Sequence, residues 1–106
     1  MNIKKCSTPH KLIEYIRSLG DRKQLEICNL YDSFVVSSDP NWQNNIAFTQ
    51  FHNKFQDMDP ENDLDSLGQM PSLINLLESE LTNIFNSDNK VFIETEKKIL
   101  GHLIDE

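Results

Sequence analysis

An all-α bundle of five or six short helices is the fold this sequence predicts, on three observations. Three Thr-Pro or Asp-Pro steps stand at Thr8-Pro9, Asp39-Pro40 and Asp59-Pro60. Each has the form of an N-cap followed by proline at the first helical position, where the missing N–H had no intrahelical partner to lose. Apolar residues recur at three- and four-residue spacing along most of the chain, which gathers them on one face of a helix. The one strand-like run, Val91-Phe92-Ile93, has no second run to pair with.

The elements follow in order. Helix one is expected from Pro9 to Leu19, with Leu12, Ile16 and Leu19 on one face, Ile13 beside them, and Gly20 as its stop. Asp21 then reads as the N-cap of helix two, with Gln24 completing a capping box. Leu25, Cys28, Tyr31 and Val35 form its stripe, flanked by Ile27 and Phe34. Helix three is expected to start at Asp39-Pro40 and to run to about residue 57, with Trp42, Ile46, Phe48, Phe51, Phe55 and Met58 as its aromatic-rich face. The stretch Asp59 to Leu67 reads as a short helix or an acidic loop closed by Gly68. Pro71 opens a strong fourth helix with Leu73, Leu77, Leu81 and Ile84 in register and Ile74, Leu76 and Phe85 adjacent. Asn86-Ser87-Asp88-Asn89 is a turn, and a last helix reaches about Ile104 with Phe92, Ile99, Leu100 and Leu103 inward. The expected core is Leu12, Ile16, Leu25, Phe34, Trp42, Phe51, Phe55, Leu77, Leu81, Ile84, Ile99 and Leu103. The whole is expected to form one helical domain, residues 1–106.

The charges are sorted along the chain. Residues 24–89 carry eleven acids against one base, Lys54, a net of −10. Residues 1–23 carry six bases against Glu14 and Asp21, a net of +4, and the whole chain is −7. Such a field draws in basic partners and repels nucleic acid and anionic membrane. No apolar run approaches the ~18 residues of a membrane span. The N-terminus, with Lys4 and Lys5 but no apolar stretch behind them, does not read as a signal peptide. A cytoplasmic protein is expected.

Candidate chemistry is thin. Asp57, Asp59, Glu61, Asp63 and Asp65 alternate with uncharged residues. An EF-hand loop begun at Asp57 would need glycine at its sixth position and glutamate at its twelfth, where the chain has Asn62 and Gly68. Calcium is therefore not expected; a solvated loop or a docking surface for a basic partner is. His10, His52 and His102 fall at no zinc-binding spacing, and the last two at polar-facing positions. Cys6 and Cys28 are too few and too far apart for a disulfide scaffold and read as buried or idle thiols in a reducing compartment. No nucleophile, base and orienting group share a recognisable pattern, so no enzyme and no cofactor are expected. Helix one, the Gly20-Asp21 turn and the Arg22-Lys23 start of helix two have helix-turn-helix proportions. Glu26, Asp32 and the anionic total argue against DNA binding through them. Those bases can instead neutralise the acidic block within the fold or across a homodimer.

In size, acidity and helix content the chain resembles the small immunity proteins that bacteria pair with secreted antibacterial toxins, of the bacteriocin and contact-dependent inhibition types. The resemblance covers the general character of the whole chain and carries no motif residue by residue. It implies a cytoplasmic protein that neutralises a cognate toxin, usually a nuclease, by tight stoichiometric binding over its basic active-site region. The residues expected to face that partner are Asp57, Asp59, Glu61, Asp63 and Asp65, helped by some of Asp32, Asp39, Glu78, Glu80 and Asp88. Tyr31 and Trp42 are candidate aromatic anchors inside the charged rim. Two other readings fit the same composition: a phage or plasmid anti-defence protein imitating nucleic acid, and an acidic helical adaptor or chaperone for a basic client.

Overall fold

The computed structural model describes residues 8–57 and 70–104, and their side chains at all of these positions but 70, 71 and 102–104. Among these residues there are five α-helices, one 3-10 turn and no strand. The helices are α1 (Pro9–Arg17), α2 (Asp21–Ser38), α3 (Ile46–Asp57), α4 (Met70–Ser87) and α5 (Asn89–Ile104), with the 3-10 turn at Trp42–Asn44. The all-α bundle is thus the observed architecture. α4 is its hub and packs against each of the other four helices.

The first proline step works as read. Thr8 is extended, its Oγ1 accepts from the Lys11 N–H at 3.3 Å, and Pro9 opens α1. Leu12, Ile13 and Ile16 face inward. The helix ends earlier than read, at Arg17 with Ser18 as its C-cap, and Gly20, at φ 95°, a backbone state that costs any residue with a Cβ, turns the chain into α2. The capping box does not form. Gly20 itself is the N-cap of α2 and Asp21 is its first helical residue, so Asp21 acts through the helix macrodipole instead of as a cap. The Gln24 side chain reaches back to α1, donating to the Arg17 carbonyl at 3.3 Å. The tight hairpin brings that orphan carbonyl within reach.

The second proline step is a turn, not a helix start. Asp39 Oδ1 accepts from the Asn41 N–H at 2.9 Å, and the Trp42 N–H donates to the Asp39 carbonyl. The chain then makes its 3-10 turn, and Asn45 becomes the true cap. Its Oδ1 accepts from the Phe48 N–H at 3.1 Å, and α3 begins at Ile46. The aromatic face holds for Phe48, Phe51 and Phe55, which are buried. Ile46 is 76 % exposed, because two residues before Phe48 is ~200° around a helix. Tyr31 packs edge-on against Phe48 and Phe51, at 5.9 and 5.6 Å between ring centres.

The third proline step, Asp59-Pro60, and the acidic stretch behind it lie outside the described residues. The turn between α4 and α5 is shorter than expected. Asp88 alone breaks the helix, and its Oδ1 accepts from the N–H groups of Lys90 and Val91. Of the expected core, Leu12, Ile16, Leu25, Phe51, Phe55, Leu77, Leu81 and Ile99 are buried. Phe34, Trp42 and Ile84 are only half-buried, Phe34 lying under the Lys98 ammonium at 4.5 Å. Leu103 is outside the described side chains. Leu73, Ile74 and Phe92 complete the centre around α4. No helix of the described residues is long and apolar enough to cross a membrane.

Candidate functional site

Two polar assemblies link the helices around α4, one buried and one exposed. The buried one lies where α2, α3 and α4 meet. Tyr31, 1 % exposed, donates its hydroxyl to Glu80 Oε1 at 3.2 Å, and Asn45 Nδ2 donates to the same oxygen at 3.0 Å. Asn45 therefore caps α3 with one end of its amide and ties it to α4 with the other. Glu80 is 2 % exposed, and its second oxygen is buried with no hydrogen-bond partner. Burial pushes the Glu80 carboxyl above its ordinary range, against the pull of the two hydrogen bonds. Burial, and then the nearby Glu80, push the Tyr31 phenol up as well.

One residue along α2, Asp32 is also buried, and its Oδ1 lies 2.7 Å from His52 Nδ1 on α3. The Trp42 ring leans on the His52 ring at 4.5 Å and meets Phe48 edge-on at 5.7 Å. This stack seats the 3-10 turn on α3. The Cys28 thiol, a turn earlier on α2, is pushed up to about 12 by burial, with the Asp32 charge adding to it. Its reactive thiolate form is therefore scarce near neutral pH.

The exposed assembly is the seam between α1 and α4. His10 Nε2 lies 2.7 Å from Glu14 Oε1, and its Nδ1 lies 3.1 Å from Glu78 Oε2. Two turns further on, Arg17 donates to Asn75 Oδ1. Along the outer side of α4, Asn75, Glu78, Ser79, Thr82 and Asn83 line an open depression of about 500 Å³.

The residues expected to bind a partner divide sharply. Asp39 and Asp57 are exposed, at the turn after α2 and at the end of α3. Glu78 is half-buried and paired with His10. Asp88 is exposed and spends one oxygen on capping α5. Asp59, Glu61, Asp63 and Asp65 lie outside the described residues. Tyr31, Asp32 and Glu80 are inside the fold, so none of them presents a surface to a partner. The reason is local: all three belong to inward faces of α2 and α4, and each has one polar atom bonded across a helix junction. His52, read as polar-facing, is half-buried for the same reason. Trp42 is half-buried and engaged by His52 and Phe48.

Sequence reasoning overlooked His10, Asn45 and His52 as structural partners of acids. The only hint was their surroundings: each sits one or two helix turns from an aromatic or acidic stripe. It also overlooked Ile46 as an exposed apolar residue. Among the described residues, no group of three or more His, Cys, Asp and Glu side chains could hold a metal ion. Comparison with protein-family models, with curated proteins and with solved structures finds no match to this chain.

Proposed function

We propose that this chain is an immunity-type inhibitor, a cytoplasmic protein that neutralises a cognate antibacterial toxin by stoichiometric binding to the toxin's basic active-site region. The observation that carries this reading is the charge sorting, −10 over residues 24–89 with Lys54 the only base. Residues 24–53 contain no Lys or Arg of their own, and of the described contacts only Lys23 and Lys98 bring a cation to that stretch, at Glu26 and Phe34. Exposed Asp39 and Asp57 flank the 3-10 turn and α3, a helix about 18 Å long at ~1.5 Å per residue. Asp57 leads directly into the four further acids of the run that ends at Asp65. A basic nuclease cleft is the partner such a field selects, because the inhibitor occupies the potential that normally attracts the nucleic acid.

Tight inhibitors also need an apolar anchor within the charged rim. With Tyr31 inside the core, Ile46 supports that role better. It is 76 % exposed and lies between Asp39 and Asp57, at the start of a helix that Asn45 caps rigidly.

The test is co-purification with the product of the gene adjacent to its own, followed by association kinetics. Changing Asp57, Asp59, Glu61, Asp63 and Asp65 together to Asn or Gln is expected to slow association by about an order of magnitude at low salt, since rim charges act mainly on the on-rate. A quintuple variant that binds and protects as fast as the parent would remove the acidic segment from the interface. A neighbour that forms no complex would remove the reading altogether.

A further inference from the structure

The His10 ring meets two carboxylates at once, one from its own helix and one from α4. Glu14 Oε1 lies 2.7 Å from Nε2, and Glu78 Oε2 lies 3.1 Å from Nδ1. A neutral imidazole has one N–H and one bare lone pair. Donating to either carboxylate, it would turn that bare nitrogen onto the oxygen lone pairs of the other. Only the doubly protonated ring donates to both. The contacts thus select the charged form on geometric grounds. They do so at the second residue of α1, where the helix macrodipole opposes a cation. The two carboxylates, not the helix, hold the charge.

We propose that His10 is a proton-operated clasp between α1 and α4: doubly protonated it bridges Glu14 and Glu78, and on losing a proton it lets Glu78 go. The charged groups at the ring are Glu14 from α1 and Glu78 from α4, with Lys11 its neighbour in the chain. α2 also packs on α1, but its Asp32 is taken by His52. The hydrogen bond to Glu78 and then the charge of Glu14 raise the His10 pKa above the ordinary histidine value. A raised folded-state pKa places the bridge at and below the ordinary value, and dissolves it as pH climbs through the raised one.

The clasp has two consequences. With it closed, the first turn of α1 is tied to the hub helix. With it open, the Glu78 carboxylate stands uncompensated on the depression it shares with Ser79 and Thr82. If Glu78 belongs to the partner-facing surface, a step that rests on the function proposed above, opening the clasp makes that surface more acidic by one charge. The clasp itself does not depend on that reading, and its test uses no partner.

The experiment is a pH titration of the full chain by imidazole-nitrogen NMR, paired with amide hydrogen exchange of α1 corrected for intrinsic rates. The chains are the parent, E78Q, E14Q and H10Q, the last of which assigns the His10 signals by their loss. In the parent, both ring nitrogens should carry protons at the ordinary histidine pKa, with a midpoint above it. E78Q and E14Q should each lower that midpoint. Protection of the first α1 amides should fall several-fold as pH rises through the parent's midpoint, and stay level in H10Q. An ordinary midpoint that E78Q leaves unmoved would overturn the proposal. So would α1 protection with the same pH dependence in the parent and in H10Q.

Discussion

The two polar assemblies around α4 use the same chemistry in opposite surroundings. Each pairs a histidine with a carboxylate on another helix, His10 with Glu78 and His52 with Asp32. The His10 side chain is 71 % exposed and that of His52 is 19 %. On the seam, water competes for each bond and salt screens it, so the contacts tune the surface more than they hold the fold. At the junction, removing one partner leaves a desolvated polar atom with nowhere to turn. Glu80 shows how little slack remains there: one oxygen takes two hydrogen bonds and the other takes none. The difference teaches that burial, not the identity of the pair, decides what an acid on this chain does.

The largest effect should come from the apolar hub that both assemblies share. Leu77→Ala, at a fully buried position on α4, should cost about 2–5 kcal/mol in chemical denaturation. A loss under about 1 kcal/mol would mean that α4 is not the centre of the bundle. Next come the junction donors. Tyr31→Phe and Asn45→Ala should each cost about 1–3 kcal/mol, since each strips a bond from a buried carboxyl. Their double variant should fall short of the sum, because both serve the same oxygen. Strict additivity would mean that the two bonds are independent and the junction is not one unit.

Glu80→Gln sharpens the contrast through pH. The raised Glu80 pKa means that the folded protein keeps a proton that the unfolded chain has already lost. Stability should therefore decline as pH rises from the ordinary glutamate value of 4.5 through the raised folded value, and level off above it. The variant should lack that decline. Parallel stability curves for the two chains across that window would contradict the assignment. The smallest effect belongs to the seam. Arg17→Ala should change stability by about 0–1 kcal/mol, the usual worth of an exposed polar tie. A larger loss would place the seam with the junction and dissolve the distinction.

How much of this was legible in the sequence depends on the type of contact. Periodicity found the helices, because the inward faces of α1, α3 and α4 carry apolar residues at helical spacing, as in Leu73, Leu77 and Leu81. Proline steps were less reliable. Thr8-Pro9 starts a helix, but Asp39-Pro40 makes a turn, since Asn45 a few residues on offers a competing cap. The polar junction was not legible. Tyr31 pairs with Glu80 across 49 positions of chain, and His52 with Asp32 across 20, and no local pattern encodes such a match. The candidate surface suffered most from this. Counting acids along the chain treats Asp32, Glu80 and Asp39 alike, and the fold keeps only Asp39 outside.

The central proposal is that Asp39, Asp57 and the acids that follow Asp57 in the sequence steer a basic protein partner. The most direct measurement is the association rate of this chain with the purified product of its neighbouring gene, taken across a range of salt concentrations. A rate that falls steeply with salt in the parent, and that starts about tenfold lower and falls less in the quintuple variant of residues 57–65, is the predicted result. A rate indifferent to salt, or the same in both chains, would contradict it.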